Sequence, residues 1–408
     1  MLPEDVQGFL LSQDAEPLLA LARDFAGGPL ELVESLRRQV AAPIASAVAE
    51  QAALQVRGRT KFALADRMRF TRDALEASTG EVLARHRAQR FSAYPRVMDL
   101  TCGIGGDLLS LAQAADTVGI DRDLTRLRYA RHNLSVHGRD AGLLCADVSR
   151  WVPPSPAYLL DPSRRERGRR VTQLTGLEPD ISLVDDLLGR RAALAVKLSP
   201  ALDWGRLPWQ AEAELVSYAG ECREAVLWFG ELSTARVRAT VLPEGASLTG
   251  DPEARAPVRP PEGYLLEPDP AVVRAHMVGV LAARLGAGAL DPEIAYLVAD
   301  RPHETPFATA YRILEARPFG LKDLRSRLRE LGRGPVVVKK RGVAYDPDEI
   351  RRRLKPQAEG PEVTVVLTRL GSKPWAILCE RLSGARPGPT NQPTSAPNSR
   401  LEDTVSTK

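Results

Sequence analysis

Cysteine is scarce in this chain of 408 residues: Cys102, Cys145, Cys222 and Cys379 lie far apart and form no C-x-x-C pair. That argues against a disulfide framework or a zinc ribbon and fits a reducing compartment. Histidine is equally sparse, and His132 and His137 are five residues apart, not the four that a shared metal face on a helix requires. No metal is expected. No apolar run approaches the ~20 residues of a membrane span. The opening MLPEDVQGFLLSQDAEPLL carries acids where a signal peptide carries bases, so a cytoplasmic protein is expected. Lysine supplies only eight of the 56 basic residues and arginine the rest, while the formal net charge is just +4. Such a total reflects arginine preference more than a nucleic-acid-binding excess, so only local clusters carry weight.

What is present is ordinary globular composition, 44% hydrophobic and 26% charged, on a chain long enough for two to three domains. Residues 1–92 space Leu, Val and Ala at three and four, which predicts an N-terminal helical region. Arg67, Arg69, Arg72, Arg85, Arg87 and Arg90 fall within it, as a solvated face or as a basic edge beside a substrate site. From residue 93 to 245 short apolar runs alternate with helical segments (RVMDLT, TVGID, GLLCAD, AYLLD, ALAVKLSP), the pattern of a doubly wound α/β domain. EAVLWFG can be strand or helix. Residues 246–333 read as a linker rich in Pro and Gly followed by helices, and 334–382 as a small α+β module. The tail, 383–408, has almost no apolar residues and is expected to be disordered.

The chemistry concentrates in VMDLTCGIGGDLLSL, where a strand ends at Asp99 and a turn containing Gly103, Gly105 and Gly106 leads into a helix. Glycines let the backbone turn with positive φ and leave room for a ligand against the main chain. Nicotinamide and nucleotide sites share that turn, but a carboxylate at Asp99 repels pyrophosphate and favours a cationic ligand. Asp121 ends the next strand, where an acid can accept both hydroxyls of a ribose, and Asp147 ends the third, within reach of an adenine amino group. A solvated strand cap is the alternative for any one of these acids. Three in succession argue for a site.

These residues resemble the class I S-adenosylmethionine-dependent methyltransferases, through D-x-x-C-G-x-G-G, the acid after the second strand and C-A-D at the third. The resemblance implies a Rossmann-like, seven-stranded sheet and S-adenosyl-L-methionine as cofactor. It also implies a pocket made of Asp99, Thr101, Cys102, Gly103, Gly105, Gly106, Asp121, Arg122, Asp147 and Val148. With Cys102 in place of a more usual glycine, the loop is similar to that of trimethylguanosine synthases and related RNA methyltransferases. After the fourth strand, Asp161 and Pro162 match the start of the D/N-P-P-Y/F/W tetrad of amino-group methyltransferases, which makes them the candidate catalytic residues. Ser163 and Arg164 depart from it, so the aromatic that would stack on a base is missing. Arg164 and Arg165, with Arg167, Arg169 and Arg170, are candidates to grip substrate phosphates.

The run of D-P-S-R-R, PDISLVDDLL, VKLSPALDW and GYLLEPDPAVVRA ahead of a basic C-terminal module resembles a bacterial methyltransferase family with a THUMP-like C-terminal domain. That implies an RNA substrate, tRNA or rRNA. Lys339, Lys340 and Arg341 in PVVVKKRG supply local positive charge at a strand end, for RNA backbone or as a solvated edge. Cys145 and Cys222 lack the context of a methyltransferase nucleophile. Two rivals remain: an RNA-binding protein that keeps the fold with weak catalysis, and a nicotinamide-dependent oxidoreductase, which Asp99 disfavours.

Overall fold

The computed structural model describes residues 3–164, 174 and 176–382. Arg165, Arg167, Arg169, Arg170 and the tail from residue 383 lie outside the described residues, and of Arg164 only the backbone is described.

Six helices open the chain: α1 (Glu4–Leu11), α2 (Ala15–Arg23), α3 (Pro29–Arg37), α4 (Ala42–Gly58), α5 (Arg72–Ala77) and α6 (Glu81–Gln89). Val6, Leu10, Leu19, Leu36 and Val48 close a core among the first four, as the three-and-four spacing dictates. Helix α6 lies on the sheet through Ala88 and Phe91, against Val97, Leu159 and Trp228. The arginines of this region divide: Arg67, Arg72 and Arg85 are exposed, as a solvated face would have them, and Arg90 is half-buried. Arg69 and Arg87 are fully buried, because each guanidinium is met by fixed acceptors: Arg69 by the Leu10 carbonyl (2.6 Å) and Glu16 (2.6 Å), Arg87 by Asp107 and Glu224. Neither the solvated nor the basic-edge reading holds for those two.

The α/β part runs β1 (Arg96–Asp99), α7 (Leu108–Ala114), β2 (Asp116–Asp121), α8 (Leu124–Val136), β3 (Gly142–Cys145) and β4 (Ala157–Leu160). A two-stranded ribbon follows, β5 (Ser163–Arg164) with β6 (Leu177–Glu178), and then α9 (Leu183–Gly189), β7 (Ala193–Leu198), β8 (Glu212–Tyr218), β9 (Glu221–Phe229), β10 (Val237–Leu242) and β11 (Ala246–Thr249). The sheet order is β11-β10-β8-β9-β7-β4-β1-β2-β3. The segment EAVLWFG is strand, antiparallel to both β7 and β8, and its burial on both faces explains a pattern that periodicity could not separate from helix. Instead of seven strands the sheet has nine, since β10 and the hairpin partner β11 extend its edge. Strand order reverses between β1 and β4, so a crevice opens at the carboxyl ends of these strands.

Residues 246–333 are not a linker and helices alone. They hold β12 (Tyr264–Pro268), α10 (Pro270–Arg274), α11 (Val278–Leu285), β13 (Gly288–Asp291), β14 (Ile294–Ala299), β15 (Ala308–Pro318) and α12 (Leu321–Glu330). With β16 (Val336–Lys340), α13 (Pro347–Leu354), β17 (Val363–Leu370) and β18 (Lys373–Arg381) these strands form a second sheet, β13-β14-β12-β15-β18-β17-β16. Its first three strands are only four to six residues long and rich in Ala, Leu and Val, a length and composition at which period two and period 3.6 look alike. Helices α10 and α11 join the two sheets, with Val272 and Leu281 in one core with Leu215, Leu227 and Val241. No helix among the described residues is long and apolar enough to cross a membrane.

Candidate active site

The crevice beyond β1, β2, β3, β4 and β7 holds a cleft of about 900 Å³. Asp99, Thr101, Cys102, Gly103, Gly106, Asp121, Arg122, Asp147, Val148, Asp161 and Pro162 all line it. Eleven of the predicted positions, drawn from the turns after four strands, therefore meet in one place. Gly105 stands behind the others: at φ +97° it makes the turn, and a Cβ there would meet Ala130 of α8. Gly103 also has positive φ, and a Cβ there would point into open space, so the main chain rather than a side chain faces the cleft. The Cys102 side chain is buried against Gly119, and burial pushes its thiol well above the ordinary cysteine range. Cys102 thus offers backbone, and is no nucleophile. Burial likewise pushes Cys222 up to about 12.

Each acid has its own setting. Asp99 is buried and accepts from the Thr101 N–H at 3.2 Å; burial and the neighbouring Asp107 push its pKa well above the usual carboxylate range. Such a carboxyl is stabilised by a cation brought against it. Asp121 accepts from the Gly103 N–H (3.1 Å) and the Asp123 N–H (2.8 Å), which ties the second strand to the glycine turn. Asp147 accepts from the Ser149 N–H at 3.0 Å. Arg122 pairs with Glu178 of β6 across the cleft mouth. An acidic floor, a main-chain turn with room beside it and an acid at the next strand end fit a cationic adenosyl ligand.

Asp161 donates its N–H to Thr101 Oγ1 (2.9 Å), which couples the fourth turn to the first, and its carboxylate is bonded by Lys197 at the end of β7. Lys197 also donates to Thr79 Oγ1 (2.8 Å), and Thr79 donates to Asp107 Oδ2 (2.8 Å). Asp107 is bonded by Arg87, which reaches on to Glu224. This chain of charges was not read from the sequence. The available signal was Lys197 itself, a rare lysine inside the apolar strand ALAVKLSP. The N-terminal region supplies one wall, residues 73–74 and 76–79. Gly106 admits that wall, because a Cβ on it would stand 3.1 Å from the Thr79 carbonyl oxygen.

Comparison with known proteins agrees with this geometry. Two uncharacterized S-adenosylmethionine-dependent methyltransferases of Mycobacterium tuberculosis, from strains CDC 1551 / Oshkosh and ATCC 25618 / H37Rv, are each 40% identical over 310 residues, 74% of this chain and 85% of theirs. The chain belongs to the S-adenosylmethionine-dependent methyltransferases. A solved structure from Porphyromonas gingivalis W83, provisionally assigned as a methyltransferase, superposes with a TM-score of 0.75 over 91% of this methyltransferase and 99% of that chain, at 23% identity. It shares the fold. Residues 308–381 match the THUMP domain-like family. That stretch starts at β15, so the match lies within the second sheet of the methyltransferase.

The basic end of β16 is used differently from the sequence expectation. Lys339 is bonded to Glu267 and lies 5.5 Å from the Tyr311 ring, while Arg341 donates to the Ala295 carbonyl and stacks over Tyr296 at 4.8 Å. Lys339 is half-buried on the face of Val337, opposite Val336 and Val338, and Lys340 at the strand end is exposed.

Proposed function

We propose that this methyltransferase acts in the cytoplasm on RNA, with a methyl acceptor held against Asp161. The observation that carries the reading is the meeting of Asp99, Asp121 and Asp161 in one cleft, at three strand ends around the topological switch point. The THUMP-like match supports RNA, since domains of that kind belong to RNA-modifying enzymes. All four cysteines are free, in keeping with a reducing compartment.

In this reading Asp99 receives the ligand's ammonium, Asp121 the ribose hydroxyls and Asp147 the adenine edge, with the main chain of Gly103 alongside. The donor supplies an electrophilic methyl carbon on a sulfonium. Asp161 and the Pro162 carbonyl orient the acceptor within the cleft. The Asp161–Lys197 pair also argues against a module that has lost its acceptor pocket.

Asp161→Ala is expected to abolish transfer to total RNA from cells lacking the protein while cofactor affinity stays within about threefold. Asp121→Ala should instead weaken cofactor binding. Isothermal titration of both variants, alongside a radiolabelled transfer assay, reads the two effects; equal loss of binding in each would refute this division of roles.

A further inference from the structure

Lys197 is a side chain in the cleft to which the sequence attached no chemistry. It is half-buried at the end of an apolar strand, and its ammonium is shared between Asp161 Oδ2 and Thr79 Oγ1. Burial opposes its charge, but Asp161 and Asp107 outweigh that penalty and hold it protonated, above the ordinary lysine range. The remaining charged neighbours are committed elsewhere. Arg87 is bonded to Asp107 and Glu224, and Lys61 donates to the carbonyls of Leu75, Glu76 and Ser78 at 2.7–2.9 Å. An ammonium has three N–H groups, and among the described residues none but Asp161 and Thr79 accepts from Lys197.

Resting on the RNA reading above, we infer that the acceptor is a hydroxyl, the 2′-hydroxyl of a ribose, and that Lys197 is the second catalytic residue beside Asp161. A base amine gains positive charge when it attacks a methyl carbon, so a fixed ammonium at the acceptor raises its barrier. A hydroxyl gains negative charge as its proton leaves, and the same ammonium lowers that barrier. Ser163 and Arg164 also stand where the amino-group tetrad has its second proline and the aromatic that would stack on a base. In the step, the ribose oxygen forms its bond to the methyl carbon as the carbon–sulfur bond breaks and leaves its electron pair on sulfur. The hydroxyl proton passes to Asp161, while Lys197 stays protonated and turns its third N–H to the oxygen.

The test labels total RNA from cells lacking the protein with a radioactive methyl donor and then hydrolyses the RNA in alkali. A 2′-O-methyl group prevents attack on the adjacent phosphate, so the label is expected in alkali-stable dinucleotides. Label in mononucleotides overturns the hydroxyl inference and leaves the RNA reading intact; label in no RNA overturns both. Lys197→Met is expected to lower kcat about 100- to 1000-fold, the cost of losing one preorganised donor, with Lys197→Arg recovering most of it. Cofactor affinity, measured by titration, reports that both variants fold. A readout without turnover is the Lys197 ammonium signal in the free protein, expected to titrate above the ordinary lysine range and to fall in Asp161→Asn. A signal unmoved in Asp161→Asn, or a Lys197→Met variant of normal kcat, would overturn the assignment.

Discussion

Two groups of buried carboxylates belong to one sheet, and they are balanced in opposite ways. On β8, Glu212 accepts from Arg90, from Arg238 and from the backbone N–H groups of Thr234 and Ala235 at 2.6–3.1 Å. Burial opposes its charge, yet these donors prevail and hold it at about 2. Its neighbour Glu214 is bonded by His86 (2.8 Å), Trp228 Nε1 (2.8 Å) and Thr240 (2.5 Å), and is likewise held below the ordinary range. Asp99, at the tip of β1, shifts the other way, through burial and Asp107. The first pair is answered by the fold's own cations and clamps α6 to the sheet. Asp99 is stabilised only when a cation is added. Burial of an acid is thus no sign of function in itself, and the sign of its shift distinguishes a clamp from a binding site.

The largest expected effect breaks the clamp. Arg90→Ala leaves Glu212 buried without its bidentate partner and removes the cation over Trp228, 4.4 Å from the ring centre. A loss of about 3–5 kcal/mol is expected, the usual cost of stripping one partner from a buried pair, measured by denaturant unfolding. A loss under about 1 kcal/mol would make the pair an ordinary surface bridge.

Next is the opposite end of the comparison. Asp99→Asn should weaken cofactor binding by roughly 10- to 100-fold, the range of a lost charge-assisted contact, yet leave the free protein as stable or more so. The sign follows from linkage. A carboxyl with raised folded pKa contributes stability below its unfolded value of about 4 and loses it as pH rises toward the folded value, so wild type should fall behind the variant across that window. Thermal melts of both proteins from pH 4 to 7, without cofactor, read the difference; a gap that closes as pH rises would show that Asp99 is already compensated.

The smallest effect sharpens how the wall meets the turn. Gly106→Ala puts a methyl 3.1–3.3 Å from Thr79 and Ser78, tight enough to shift that segment by a few tenths of an ångström. A cost of about 1 kcal/mol is expected, together with a several-fold drop in transfer. A variant with unchanged turnover would mean that Thr79 does not set the position of Lys197.

The acidic end of the cleft was legible because its requirements are local. Asp99, the glycines, Asp121 and Asp147 each follow a short apolar run at a fixed offset, and a strand-turn-helix unit delivers such residues to one edge whatever surrounds it. Arg87 and Arg90 were not legible. Both have the sequence context of a solvated helix, and Arg87 becomes buried and Arg90 half-buried because Glu224 and Glu212, more than a hundred residues later, provide their partners. The second sheet was recognised at β16–β18, through VVV, VTVV and WAIL, and missed at β12–β15: β12–β14 are short runs rich in Ala and Leu with no distinguishing period, and a register shift between Ile313 and Glu315 breaks the alternation of β15.

From sequence alone came the α/β class, the acids proposed to hold the adenosyl ligand and the placement of Asp161 at the fourth strand tip, since each depends on residues close together in the chain. Tertiary structure alone decided what stands opposite Asp161. Lys197, Thr79 and Asp107 come from β7, from the N-terminal region and from the turn before α7, and only packing of the whole sheet brings their charges within hydrogen-bond distance, where a low local dielectric makes their mutual balance matter.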